Sequence, residues 1–147
     1  MILFPLICFC SAVFAFADSG PTAFSQETPR QEQLFELTVI AEGVRSENGA
    51  VIMELSNAEG EAVSGAKVSI RDGESRWVFT EVPAGKWAVR LFHDENNNEK
   101  LDTNFLGIPR EGYGFSNNPP ARFGPPPFNA RLFEVQADTT IRITLIY

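Results

Sequence analysis

The sequence predicts an all-β chain, an antiparallel β-sandwich of about seven strands that carries one long proline-rich loop. Three observations predict it. No segment holds a 3.6-residue apolar period over three turns, short runs of alternating apolar and polar residues recur along the chain, and glycine- or asparagine-bearing turns separate those runs.

The first run starts at Leu34, with Phe35, Leu37, Val39 and Ala41 on one face and Glu36, Thr38 and Ile40 on the other. Ser46-Glu47-Asn48-Gly49 supplies a turn, after which Val51, Met53 and Leu55 alternate. A polar connection from Asn57 to Gly65 leads to a strand over Lys67 to Ile70. Trp77 to Val82 is next, broken by Pro83-Ala84-Gly85, and Trp87, Val89 and Leu91 then set the register of a strand ending at His93. Arg131 to Val135 and Ile141 to Tyr147 complete the set. Trp77, Trp87 and most of the 13 phenylalanines are assigned to the core between the sheets.

The chain ends and the composition bound the setting. Met1 to Ala17 has no charged side chain and closes on Ala15-Phe16-Ala17, the small-x-small form of a signal-peptide cleavage site. Residues 1–17 are therefore expected to be a signal peptide, 18–33 a polar, flexible leader, and 34–147 the sandwich domain. Both cysteines, Cys8 and Cys10, fall in the signal, which leaves a mature chain with neither a disulfide nor a thiolate metal site. The expected location is secreted or periplasmic, without stable membrane insertion after signal removal. A net charge of −7 with no Lys/Arg cluster argues against nucleic acid and anionic membrane surfaces as partners, but not against divalent cations or basic partners.

The candidate chemistry lies in HDENNNEKLDTN, residues 93–104. Counting from Asp94, side-chain oxygens recur at Asp94, Asn96, Asn98 and Asp102, which are positions 1, 3, 5 and 9 of the D-x-[DN]-x-[DN]-G calcium pattern, and the carbonyl of Lys100 takes position 7. A tight loop turns alternate side chains toward one centre, where Ca²⁺ takes roughly 6 to 8 oxygens. Position 6 is Glu99 instead of glycine and position 12 is Phe105 instead of a closing carboxylate. With two acids and two amides, an affinity of roughly 10⁻⁴ to 10⁻³ M is the expected ceiling. The same residues also fit a solvated turn in which asparagines adopt left-handed conformations and cap their own backbone.

Gly107 to Asn129 holds six of the ten prolines and no strand pattern. A connection of this length is either functional or disordered, and its aromatic content argues that it folds down on the sandwich. Glu111, Tyr113, Phe115, Asn117 and Phe123 are its candidate ligand-binding residues; buried rings make it a plug, and outward rings make it a platform for a glycan or an envelope protein. Catalytic signatures are scarce. His93 is the only histidine, which excludes a multi-histidine metal centre, and neither a nucleophile elbow nor a phosphate loop is present.

The three segments HDENNNEKLDTN, GIPREGYGFSNN and PPPFNARLF together resemble the domain-of-unknown-function 2141 family of small secreted or periplasmic bacterial proteins, over roughly Phe35 to Tyr147. At Glu99 the chain departs from the glycine that the family usually carries. The family has no established activity, so the resemblance implies location and architecture and leaves mechanism open. Separately, VFTEVPAGKWAVRLFHD (78–94) resembles a hairpin of transthyretin-like and collagen-adhesin B-type sandwiches, some of which bind calcium at a strand end. The expectation is a non-catalytic extracytoplasmic sandwich of unknown biological role with a weak calcium loop, or alternatively a ligand-recognition module using residues 107–129.

Overall fold

The computed structural model describes residues 32–120 and 124–147. The signal peptide expected over 1–17, nearly all of the leader expected over 18–33, and Phe123 lie outside the described residues. Eight strands form two sheets, giving a sandwich-like all-β fold. They are β1 (Leu34–Glu42), β2 (Ala50–Ser56), β3 (Ala62–Val68), β4 (Ser75–Pro83), β5 (Gly85–Asp94), β6 (Tyr113–Phe115), β7 (Phe133–Val135) and β8 (Thr139–Thr144). Among the described residues the one helical segment is a short 3-10 turn, Phe128–Arg131, and no helix is long and apolar enough to cross a membrane.

One sheet has the order β4-β1-β8 and the other β3-β2-β5-β6, with β7 also on β5. Strands β6 and β7 share one edge of β5: β6 pairs with Arg90 to Phe92 and β7 with Gly85 to Trp87. The alternation read in β1, β2 and β5 places Leu37, Val39, Val51, Met53, Leu55, Val89 and Leu91 in the core, joined by Phe79, Trp87, Val135 and Ile143.

Four expectations need correction. The sandwich has eight strands and is not wholly antiparallel, because β8 runs parallel to β1, from Leu37 opposite Thr139 to Glu42 opposite Thr144. Alternation carries no strand direction, so the sequence could not distinguish the two pairings. Pro83-Ala84-Gly85 does not close a hairpin, since β4 pairs with β1 and β5 with β2. It is an arch between sheets, held by the Trp87 indole N–H donating to the Pro83 carbonyl at 2.9 Å. The 107–129 segment does contain a strand, β6, whose pattern is hidden by Gly114; a Cβ there would stand 2.7 Å from Ile143 Cγ2. Trp77 and Phe105 are not core. Trp77 faces inward but is 42% exposed, because β4 is an edge strand and lines an open groove of about 200 Å³ against β3.

Candidate functional site

Strand β5 ends by delivering Asp94, fully buried, beneath the 95–102 loop. Its Oδ1 accepts the Asn98 N–H at 2.9 Å and its Oδ2 the Glu99 N–H at 3.0 Å. The amide oxygens repeat the motif one step on: Asn96 Oδ1 accepts the Asn98 N–H and Asn98 Oδ1 the Lys100 N–H, at 3.0 and 2.8 Å. The Asp102 carboxylate then accepts both side-chain amides, Asn96 Nδ2 at 2.6 Å and Asn98 Nδ2 at 3.1 Å. Asp94, Asn96, Asn98 and Asp102 are thus gathered in one loop, and the backbone of Lys100 is part of it while its ammonium faces solvent. The turn is made through left-handed residues, Asn97 at φ 59° and Glu99 at φ 60°. Glu99 adopts the conformation that glycine would supply more cheaply.

Glu111 is buried as a tie beam. One oxygen accepts the Glu95 N–H at 3.0 Å and the other the Asp102 N–H at 2.9 Å, so the loop is bolted to the following segment at both ends. On the opposite side Gly49 lies so close that a Cβ would stand 1.9 Å from the Asp94 carbonyl oxygen, and its φ of 76° suits glycine alone.

His93, one residue before the loop, is fully buried. Its Nε2 lies 2.7 Å from the Asn48 carbonyl, which can only accept, so Nε2–H donates there, and Nδ1 is hydrogen-bonded to the Tyr147 hydroxyl at 2.9 Å. The same hydroxyl oxygen accepts the Arg45 N–H at 3.0 Å, and the Arg45 guanidinium stacks 4.4 Å from the centre of the Tyr147 ring. Arg45 Nε donates to Glu95 at 2.6 Å, which raises the guanidinium pKa. Burial raises the Tyr147 pKa above its ordinary value of 10.0. Sequence reading missed Arg45 and Tyr147; the available signal was Gly112, whose absent side chain leaves room for the Tyr147 ring.

The candidate ligand residues are distributed differently. Glu111 faces inward, as above. Tyr113 and Phe115 are half-buried on β6, with ring centres 6.0 Å apart, and the Arg131 guanidinium lies 4.5 Å over the Phe115 ring. Partial burial draws the Arg131 pKa down. The Asn117 amide donates to the carbonyls of Ala130 and Leu132 at 3.2 and 2.8 Å, clamping β6 to the segment leading into β7. Ser116 is buried and hydrogen-bonds Val89 and Arg131 main-chain groups. Of the described candidates, Glu111 alone is hydrogen-bonded to the Asp94 loop.

Chemically, the loop offers two carboxylates, amide oxygens and main-chain carbonyls, which is a hard-oxygen set. Among the described residues no three His, Cys, Asp or Glu side chains gather as a metal cluster, so any ion here would depend on Asn96, Asn98 and the Lys100 carbonyl. No curated protein and no solved structure matches the chain. A family model does match, over residues 39–143, from the middle of β1 nearly to the end of β8 and through the Asp94 loop, the Glu111 tie and Gly114 of β6. The chain belongs to that family, described as an uncharacterized protein conserved in bacteria, DUF2141.

Proposed function

We propose that the chain is a non-catalytic, secreted or periplasmic sandwich whose Asp94 loop is a structural staple, tightened by a weakly held Ca²⁺. The supporting observation is the convergence of the Asp94, Asn96, Asn98 and Asp102 side chains, with Glu99 already in the left-handed turn. Each carboxylate oxygen that accepts one N–H keeps a second lone pair for an ion. His93, with both ring nitrogens engaged by Asn48 and Tyr147, is assigned a structural role. Within the all-β class the reading keeps a transthyretin-like or collagen-adhesin B-type build, with residues 78–94 forming an arch between sheets.

The test is thermal unfolding after EDTA treatment and again in Ca²⁺ at about 10 mM. Ten- to hundredfold saturation over a Kd of 10⁻⁴ to 10⁻³ M adds roughly 1.4 to 2.7 kcal/mol. The expected result is a calcium-dependent rise in Tm that Asn96→Ala removes; superimposed melts would sink the calcium part of the reading. Recognition of a glycan or envelope protein through residues 107–129 draws less support. The Glu111 and Asn117 side chains are consumed by internal hydrogen bonds, which leaves the half-buried Tyr113 and Phe115 as its described aromatic surface.

A further inference from the structure

The turn beyond the Asp94 loop has an unusual surface. Thr103 and Pro109 face each other as an antiparallel bridge, and between them Phe105, Leu106 and Ile108 are 94%, 68% and 55% exposed. Turn tips are ordinarily polar, and single exposed apolar residues mean little. Three large ones in four consecutive residues, with only Gly107 between them, form a continuous apolar knob.

Three of the four N–H groups of residues 105–108 are paired within the turn, while the Phe105 N–H and the Phe105, Leu106 and Gly107 carbonyls make no hydrogen bond among the described residues. Asn104 Oδ1 accepts the N–H groups of Leu106 and Ile108 at 2.9 and 3.1 Å, the Asn104 carbonyl accepts the Gly107 N–H at 2.9 Å, and the Ile108 carbonyl accepts the Asn104 N–H at 2.8 Å. Pro109 has no N–H to lose. Pairing of those three N–H groups lowers the cost of bringing the turn into a lipid headgroup region, whose water still serves the free carbonyls.

The charges at this end are sorted in the same sense. Asp94 and Glu111 are buried on main-chain N–H groups, Glu95 pairs with Arg45, Glu99 pairs with Lys67, and Asp102 holds two asparagine amides. Lys100 and Arg110, one on each side of the knob, are exposed and make no ion pair among the described residues. The net charge of −7 speaks against broad adsorption to an anionic surface, and Asp102, held by neutral amides, adds a negative charge here; the exposed charges without an ionic partner beside this turn are nevertheless the cationic Lys100 and Arg110.

We propose that the 105–108 turn is a membrane-surface anchor. Phe105, Leu106 and Ile108 enter the boundary of a phospholipid leaflet, and Lys100 and Arg110 reach up to its phosphates. A single turn gives weak, reversible association rather than a span. Insertion of the turn requires no calcium in the neighbouring loop.

The experiment is flotation of the full chain with vesicles of phosphatidylcholine, with and without phosphatidylglycerol, in EDTA and in Ca²⁺. Every variant carries the same N-terminal residues, so differences between variants report on the turn. The expected result is co-flotation in EDTA that falls by about tenfold or more in the Phe105→Ser/Leu106→Ser/Ile108→Ser variant. Lys100→Glu/Arg110→Glu is expected to remove only the increment due to phosphatidylglycerol. Melting curves confirm that the variants fold. In Phe105→Trp, quenching by brominated lipid beyond that of the wild type, whose own indoles are Trp77 and Trp87, reports insertion of the turn directly. Flotation that the triple serine variant leaves unchanged, or absence of that extra quenching, overturns the proposal. So does absence of vesicle binding in every composition, which would assign the knob to a protein partner. Calcium dependence of the melts with calcium-independent flotation separates this proposal from the staple.

Discussion

At the scale of single residues, the pole around Asp94 is built from positions that tolerate no ordinary substitute. Asp94→Ala strips two main-chain N–H groups of a charged acceptor and is expected to lower unfolding free energy by about 2 to 3 kcal/mol in urea titrations. Gly49→Ala sets a methyl group into the Asp94 carbonyl at positive φ, and an equal or larger loss is expected. Glu99 runs the other way. Relief of its left-handed strain outweighs loss of an exposed ion pair with Lys67 at 3.1 Å, so Glu99→Gly is expected to stabilise by about 0.5 kcal/mol. A loss of stability on that substitution would show that the ion pair dominates. Much of this was legible: the spacing of Asp94, Asn96, Asn98 and Asp102 announced a loop with a common centre. Glu111 was legible as an acid but not as a tie, because its two N–H donors, from Glu95 and Asp102, come from the loop itself and only meet it in space.

At the scale of elements, β6 and the segment around Tyr147 close the end of the sandwich. Residues 113–115 pair with β5 on one side, while Tyr113 exchanges hydrogen bonds with Ile146 on the other at 2.9 Å each way. Gly114→Ala forces a methyl group against Ile143 and the Thr144 carbonyl, and about 1 to 3 kcal/mol of destabilisation is expected. Tyr147 gives this region an alkaline limit. Its pKa is raised in the folded protein, so the unfolded chain ionises first as pH rises above 10.0; the stability it contributes is complete below that value and is lost as pH passes through the raised one. Urea midpoints of the wild type should therefore fall more steeply between about pH 9 and 11 than those of Tyr147→Phe. Strands β1, β2 and β5 were legible from alternation, because each has a core face and a period of two. Strand β6 was not, since two glycines in GYGF erase the pattern while making the close approach possible.

At the scale of the whole molecule, the two sheets are linked mainly by arches, with β2 and β3 forming the one hairpin between consecutive long strands among the described residues. The sandwich class was legible in the spacing of turns; the direction of β8 and the exposure of Trp77 were not, because both depend on which strand lies at an edge. Groups at the Asp94 pole and the groove beside Trp77 use different surfaces, so substitutions such as Asp94→Ala and Trp77→Ala should add in their effects on stability within about 0.5 kcal/mol. A marked departure in the double variant would reveal coupling through the core.

The parallel pairing of β1 with β8 also sets an order of events. Leu37 meets Thr139 only after the intervening chain has been synthesised, so the central strand of its sheet waits for the last strand to arrive. Chains whose contacts are this distant in sequence fold in roughly milliseconds to seconds. Under the secreted or periplasmic reading proposed above, such a delay is useful, because a polypeptide that cannot finish folding early stays threadable while it crosses a membrane.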